Sequence, residues 1–201
     1  MRTLIASLAS VLLAVGVAAA APKVGQTAPD FSGTTSGGET ISLDQFAGKR
    51  VVLEWTNHDC PYVKKHYNSG NMQSLQRRAT ADDVVWVSVI SSAPGKQGHV
   101  SAAQANDLTA SRRAGPSYVI LDESGEIGQL YGAKTTPHMY VIDEARVLQY
   151  SGAIDSIPTS NQADIARADN YVSKALNSLR NGQGIVTKQS KPYGCSVKYG
   201  S

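Results

Sequence analysis

Two runs along the chain, RVVLEWT (50–56) and VVWVSVIS (84–91), are dense in β-branched and apolar residues, and each predicts a buried strand. Between them Pro61 opens a helix, since proline suits the first helical position. Ser69 and Gly70 interrupt that helix, MQSLQRRA (72–79) continues with helical character, and Asp82-Asp83 makes a turn. Beyond the second strand, SSAPGKQGH (91–99) is a Gly/Pro loop, and SAAQANDLTASRR (101–113) reads as a helix with Ser101 as its cap. SYVILD (117–122), a turn at Ser124-Gly125 and EIGQLYG (126–132) follow. TTPHMYVID (135–143) leads into a third extended run, and RVLQYSGAI (146–154) forms a fourth after a turn at Glu144-Ala145. NQADIARADNYVSKALNSLRNG (161–182) is the clearest helix. Its Ile165, Tyr171 or Val172, Ala175, Leu176 and Leu179 keep the 3.6 spacing, and Gly182 serves as C-cap. Upstream, residues 23–49 read as an arm with a short hairpin turning at Gly37-Gly38. The tail from 184 is polar and loop-like until GCSVKY.

Strand, helix, strand, helix, a strand pair and a final helix predict an α/β domain, with a central mixed β-sheet and helices on both faces. The first residues alter that picture. A basic residue at Arg2, an apolar run from Leu4 to Val17 and then AAAAP have the layout of a signal peptide, too short for a membrane span. Residues 1–21 are therefore expected to be removed, leaving one domain over 22–201 that works in the periplasm or outside the cell without membrane insertion. The formal charge of +3 comes from dispersed basic residues that alternate with acids, so no nucleic-acid surface is expected. The chain has only 2 cysteines, and an oxidising compartment permits a bond between them.

One of those cysteines, Cys60, sits directly before Pro61 in EWTNHDCPYVKK (54–65), at a strand-to-helix junction. The first turn of a helix offers unpaired N–H groups and the positive end of the dipole, which favour thiolate over thiol. Such a setting lowers a cysteine pKa from ~8.5 into the ~3.5–7.5 range. His58, Lys64 and Lys65 add positive charge nearby, with His58 the better placed of the histidines to influence Cys60. The histidines and cysteines lack the compact spacing of a zinc site; His58 and Cys60 are the one pair with a conceivable use for copper. No Gly-rich nucleotide motif or flavin site is present, so no cofactor is expected.

The segments VGQTAPDF (24–31), LDQFAGKRVVLEWT (43–56), CPYVKKHY (60–67), LDESGEIGQLYGAKTTPHMYVID (121–143) and GCSVKY (194–199) resemble the thioredoxin-fold superfamily in its redoxin or peroxiredoxin-like branch. The resemblance implies a thioredoxin-like fold, with Cys60 as the catalytic thiol at the start of the first long helix. It also implies that Thr136-Pro137 forms a cis-proline loop facing Cys60, where His138 either lines the mouth or is satisfied by a backbone group. The sequence departs from family patterns at two points. Val63 stands where a CxxC motif would carry a second cysteine, and Asn57 stands where a peroxidase would carry threonine or serine, with Thr56 one residue further back.

The implied activity is thiol-dependent redox chemistry, either thiol–disulfide exchange or peroxidase chemistry. Its partners would be an external thiol reductant and an oxidised protein or small-molecule substrate. Cys195 then has three possible fates: it resolves the oxidised Cys60, it staples Cys60 permanently, or it stays remote. A staple would instead suit a binding module without catalysis, and a third reading is copper handling.

Overall fold

The strand Val51–Trp55 is buried at every position, as a central strand covered on both faces must be. Its alternation sorts the core into two layers within the computed structural model, which describes residues 21–200. The expected signal peptide and its cleavage site lie outside the described residues except for Ala21.

In chain order the elements are β1 (Ser32–Thr34), β2 (Thr40–Ser42), β3 (Val51–Trp55), α1 (Pro61–Asn68), α2 (Asn71–Ala81), β4 (Val85–Ile90) and α3 (Ala102–Ser111). There follow β5 (Tyr118–Leu121), α4 (Glu126–Tyr131), β6 (Thr135–Thr136), β7 (His138–Ile142), β8 (Leu148–Gly152), α5 (Tyr171–Arg180) and β9 (Cys195–Ser196). The central sheet runs β5-β4-β3-β7-β8, parallel across β5, β4 and β3 and antiparallel across β7 and β8. This is the thioredoxin-like α/β arrangement. Val51, Leu53 and Trp55 pack with Val87, Val89 and Tyr140 beneath Ile127 and Tyr131 of α4. Val52 packs with Trp86, Met139 and Val141 against α1, α2 and α5 on the opposite face.

Gly70, in the left-handed region at φ +75, separates α1 from α2 where the sequence breaks. Ser101 accepts from the Gln104 amide as the cap of α3, and β1 and β2 form the expected hairpin. The predicted helix over 161–182 is different: a 3-10 segment covers Gln162–Arg167, Ala168 is extended, and α5 begins only at Tyr171. The backbone is diverted to the 154–156 segment, with the Ser156 amide donating to Asp169 O at 3.0 Å and the Tyr171 amide to Ile154 O at 3.0 Å. Asn161 and Asn170 each accept from an amide as caps, which favours two starts over one continuous helix.

The one charged residue on β3 is Glu54, wholly buried. It accepts from Tyr67 Oη at 2.8 Å, Trp86 Nε1 at 2.8 Å, Ser88 Oγ at 3.1 Å and Gln76 Nε2 at 3.3 Å. Burial raises its pKa, and these four donors oppose the rise only in part. A raised folded-state pKa means the folded protein holds the proton more tightly. The associated stability is full below the unfolded value of ~4.3 and is lost as pH rises through the folded one. Urea melts across pH should therefore show wild type losing stability relative to Glu54→Gln as pH climbs above the ordinary glutamate range. A pH-independent difference would mean that Glu54 titrates normally.

Candidate functional site

Cys60 occupies the N-cap of α1 with extended backbone (φ −69, ψ 125), and Pro61 starts the helix behind it. The loop that delivers it is fixed by Asn57, whose carbonyl accepts from the Cys60 amide at 3.1 Å. The Asn57 side chain accepts from the Asp59 amide at 2.9 Å and donates to Gln97 O at 3.2 Å. The Cys60 thiol is itself fully buried.

Two segments distant in sequence meet at that sulfur. From β6, Thr136 O accepts from Cys60 Sγ at 3.1 Å, and the Thr136-Pro137 peptide bond is cis, as the resemblance implied. From the tail, the Cys195 amide donates to Cys60 Sγ at 3.4 Å. These two segments also pair with each other: β9 runs antiparallel to β6, with Cys195 opposite Thr136. Gly194 makes the approach possible, because a Cβ there would lie 2.0 Å from Thr136 O, and its φ is +139. The tail continues as a strap over residues 193–199. Val197 N bonds Lys134 O at 3.1 Å, Ala93 N bonds Lys198 O at 2.9 Å, and Tyr199 Oη bonds Ala133 O at 2.8 Å.

Both cysteines are free thiols within mutual hydrogen-bonding reach, Cys60 buried and Cys195 half-buried. Burial works to raise the Cys60 pKa. The Cys195 thiol and the Val63 and Cys195 amides outweigh it, and the net shift is downward. The Cys195 thiol moves the other way, pushed up by burial and by its bond and charge interaction with Cys60. The two thiols are thus shifted in opposite senses, and Cys60 is the more readily ionised of the pair.

The remaining candidates divide. Thr136, Pro137, Asn57 and Pro61 are brought to the sulfur or to the backbone that holds it. Thr56 is buried with no hydrogen-bond partner for Oγ1 among the described residues. Together with His58, Tyr67, Ser88 and Arg112 it lines a cavity of about 30 Å³, room for about one water, to which Cys60 does not contribute. His58 turns toward Asp59, with Nε2 3.4 Å from Oδ2, and burial lowers its pKa against the pull of Asp59. His138 is buried, its Nδ1 3.3 Å from the Lys134 amide and 3.2 Å from Tyr140 Oη, and burial brings its pKa down to about 3. It is the backbone-satisfied histidine rather than a residue of the mouth. Among the described residues no group of three or more His, Cys, Asp or Glu is placed to hold a metal.

Sequence reasoning did not single out Asp155 or Tyr193. Lys65 drew notice only as a nearby charge, yet its side chain is wholly buried against Asp155, with Nζ 3.0 Å from Oδ2.

A thiol at a helix start, facing a cis-proline loop beside the ends of the central strands β3 and β7, has a thioredoxin-like arrangement consistent with a redox role. The chain belongs to the Redoxin family, whose model matches residues 23–171 and so ends before the strap. Thioredoxin-like protein YneN of Bacillus subtilis (strain 168) is 33% identical over 127 residues, covering 62% of this chain and 68% of that protein. An uncharacterized conserved protein from Geobacillus kaustophilus shares the fold with a TM-score of 0.74 and 24% identity, over 89% of this chain and 93% of that one. A hypothetical protein from Sinorhizobium meliloti 1021 does so with a TM-score of 0.73 and 19% identity, over 90% of this chain and 97% of that one.

Proposed function

We propose that the chain is an exported thiol–disulfide oxidoreductase in which Cys60 attacks and Cys195 resolves. The observation that carries this reading is the Cys195 amide donating to Cys60 Sγ at 3.4 Å, which sets the second thiol beside the first. The Cys60 thiolate attacks a substrate disulfide, forming a mixed disulfide and releasing one substrate thiolate, which takes a proton. Cys195, on giving up its proton, attacks the Cys60 sulfur, and the second substrate thiolate leaves as the Cys60–Cys195 bond forms. Two electrons have then passed to the substrate, and an external thiol reductant returns them to the protein. The signal-peptide layout of residues 1–21 supports action outside the cytoplasm.

Peroxidase chemistry through a Cys60 sulfenic acid is the second reading. It is less favoured because the Asn57 side chain is committed to Asp59 and Gln97, and neither it nor Thr56 hydrogen-bonds Cys60.

The test reacts reduced protein with bis(hydroxyethyl) disulfide and, separately, with hydrogen peroxide, following products by mass spectrometry. Wild type should end with a Cys60–Cys195 disulfide, and Cys195→Ser should stall as a mixed disulfide on Cys60. A wild type that is inert to the disulfide sinks the reading. Rapid oxidation by peroxide alone would replace it with the peroxidase.

A further inference from the structure

Outside the exchange chemistry lies a buried polar socket on α1, one turn beyond Cys60. Lys65 and His66 are both fully buried there, where an unpaired charge is costly. Lys65 Nζ donates to Asp155 Oδ2 at 3.0 Å and to Ile157 O at 2.9 Å. The other carboxylate oxygen of Asp155 accepts from the Ile157 amide at 3.1 Å and from the hydroxyl of Tyr193. That hydroxyl also lies 3.3 Å from Lys65 Nζ and 3.4 Å from His66 Nε2. The Tyr193 ring packs edge-on against Tyr62, with centroids 5.7 Å apart. Burial, then Asp155, raise the phenol pKa far above its usual value, so it remains a donor.

Tyr193 is two residues before Cys195, and Gly194 between them crosses the Thr136 carbonyl. A buried ion pair is a weak source of net stability, since desolvation offsets the attraction. What this pair does supply is a charged, directional acceptor for one hydroxyl of the strap. From this arrangement we infer that Tyr193 is a positioning residue: its phenol, locked into the Lys65–Asp155 socket, holds Cys195 at Cys60 and sets the effective concentration for the resolving step. The inference rests on the exchange reading above. In that step the Cys195 thiolate displaces substrate thiolate from Cys60, and its rate and equilibrium scale with the local concentration of Cys195. With the latch closed the strap also helps to bury the Cys60 sulfur. With the latch open, the thiol is exposed and its partner is dilute.

The test uses Tyr193→Phe, which keeps the ring and removes only the hydroxyl. Reduced and oxidised glutathione are equilibrated with each protein, and the fraction of Cys60–Cys195 disulfide is read by mass after acid quenching. Losing a hydrogen bond to a charged group should lower the equilibrium constant for disulfide formation by about tenfold or more. Alkylation of reduced Cys60 by iodoacetamide should accelerate by a similar factor. A role confined to general stability would move the melting temperature but neither readout, because the equilibrium constant compares two folded states of one variant. A folded Tyr193→Phe with both readouts unchanged overturns the inference. A wild type that forms no disulfide with glutathione at all overturns instead the exchange reading beneath it. Should Tyr193→Phe not fold, amide exchange in reduced wild type decides. Protection of the Cys195 and Val197 amides matching that of β7 supports the latch, and exchange at the unprotected rate overturns it.

Discussion

Cys60→Ser is expected to lose disulfide exchange while keeping its fold. A serine hydroxyl forms no sulfur–sulfur bond, so the variant has no route to the mixed disulfide on which both exchange steps depend. The only thiol left, Cys195, is a poor substitute, because burial pushes it up. An ordinary thiol of pKa ~8.5 is only a few per cent ionised at pH 7, and Cys195 would be less so. Residual reaction with bis(hydroxyethyl) disulfide should therefore fall to about one-hundredth of wild type or lower. Serine is also a favoured N-cap, so α1 should keep its start at Pro61, and far-UV circular dichroism should be unchanged. Stopped-flow kinetics on both proteins make the comparison, and a wild-type rate in Cys60→Ser would move the nucleophile to another residue.

Asp155→Ala should produce the largest loss of stability of any single change near the site. It strands the Lys65 ammonium in an interior where the side chain has no exposure, and leaves the Tyr193 hydroxyl without its carboxylate. Breaking a buried pair by removing one partner costs ~3–5 kcal/mol. At ~2–4 °C per kcal/mol for a domain of this size, the melting temperature should drop on the order of 10 °C. Replacing both members with apolar residues, as in Lys65→Met/Asp155→Leu, should recover most of that loss, since neither charge is then left unpaired. Thermal denaturation of the single and double variants gives the answer. A single variant within about 1 kcal/mol of wild type would mean that water reaches Lys65 and that the socket is not dry.

The strands of the central sheet were legible because β3 and β4, buried on both faces, had to be apolar runs, broken only by Glu54 and Ser88. The start of α1 was legible for a local reason too: proline at N1 leaves few alternatives. The clearest helix of the sequence was read too long. Its first part, around Ile165, has helical spacing, but the capping side chains Asn161 and Asn170 and the 154–156 segment compete for the same backbone groups. Within the site, Cys60 and Pro137 could be found from motif-like neighbours. Tyr193 and Asp155 could not, since a tyrosine in a polar tail and an aspartate in a loop carry no periodic or motif signal. Only tertiary contact tells that the second lysine of KK is buried while the first, Lys64, is exposed. Glu54 gave a weak hint, as a lone acid within an apolar strand.

A bond between Cys60 and Cys195 would join residues 135 positions apart and turn most of the domain beyond β3 into a covalent ring. Closing a loop of that length constrains the unfolded chain by about 5 kcal/mol in the chain-entropy estimate. Electron transfer at the sulfurs and unfolding of the domain are then linked equilibria. Each reduction of the pair hands the unfolded chain back its freedom, and each oxidation withdraws it. With that bond formed, the oxidised protein would be the heat-resistant form, and the reduced one the form a protease would open first.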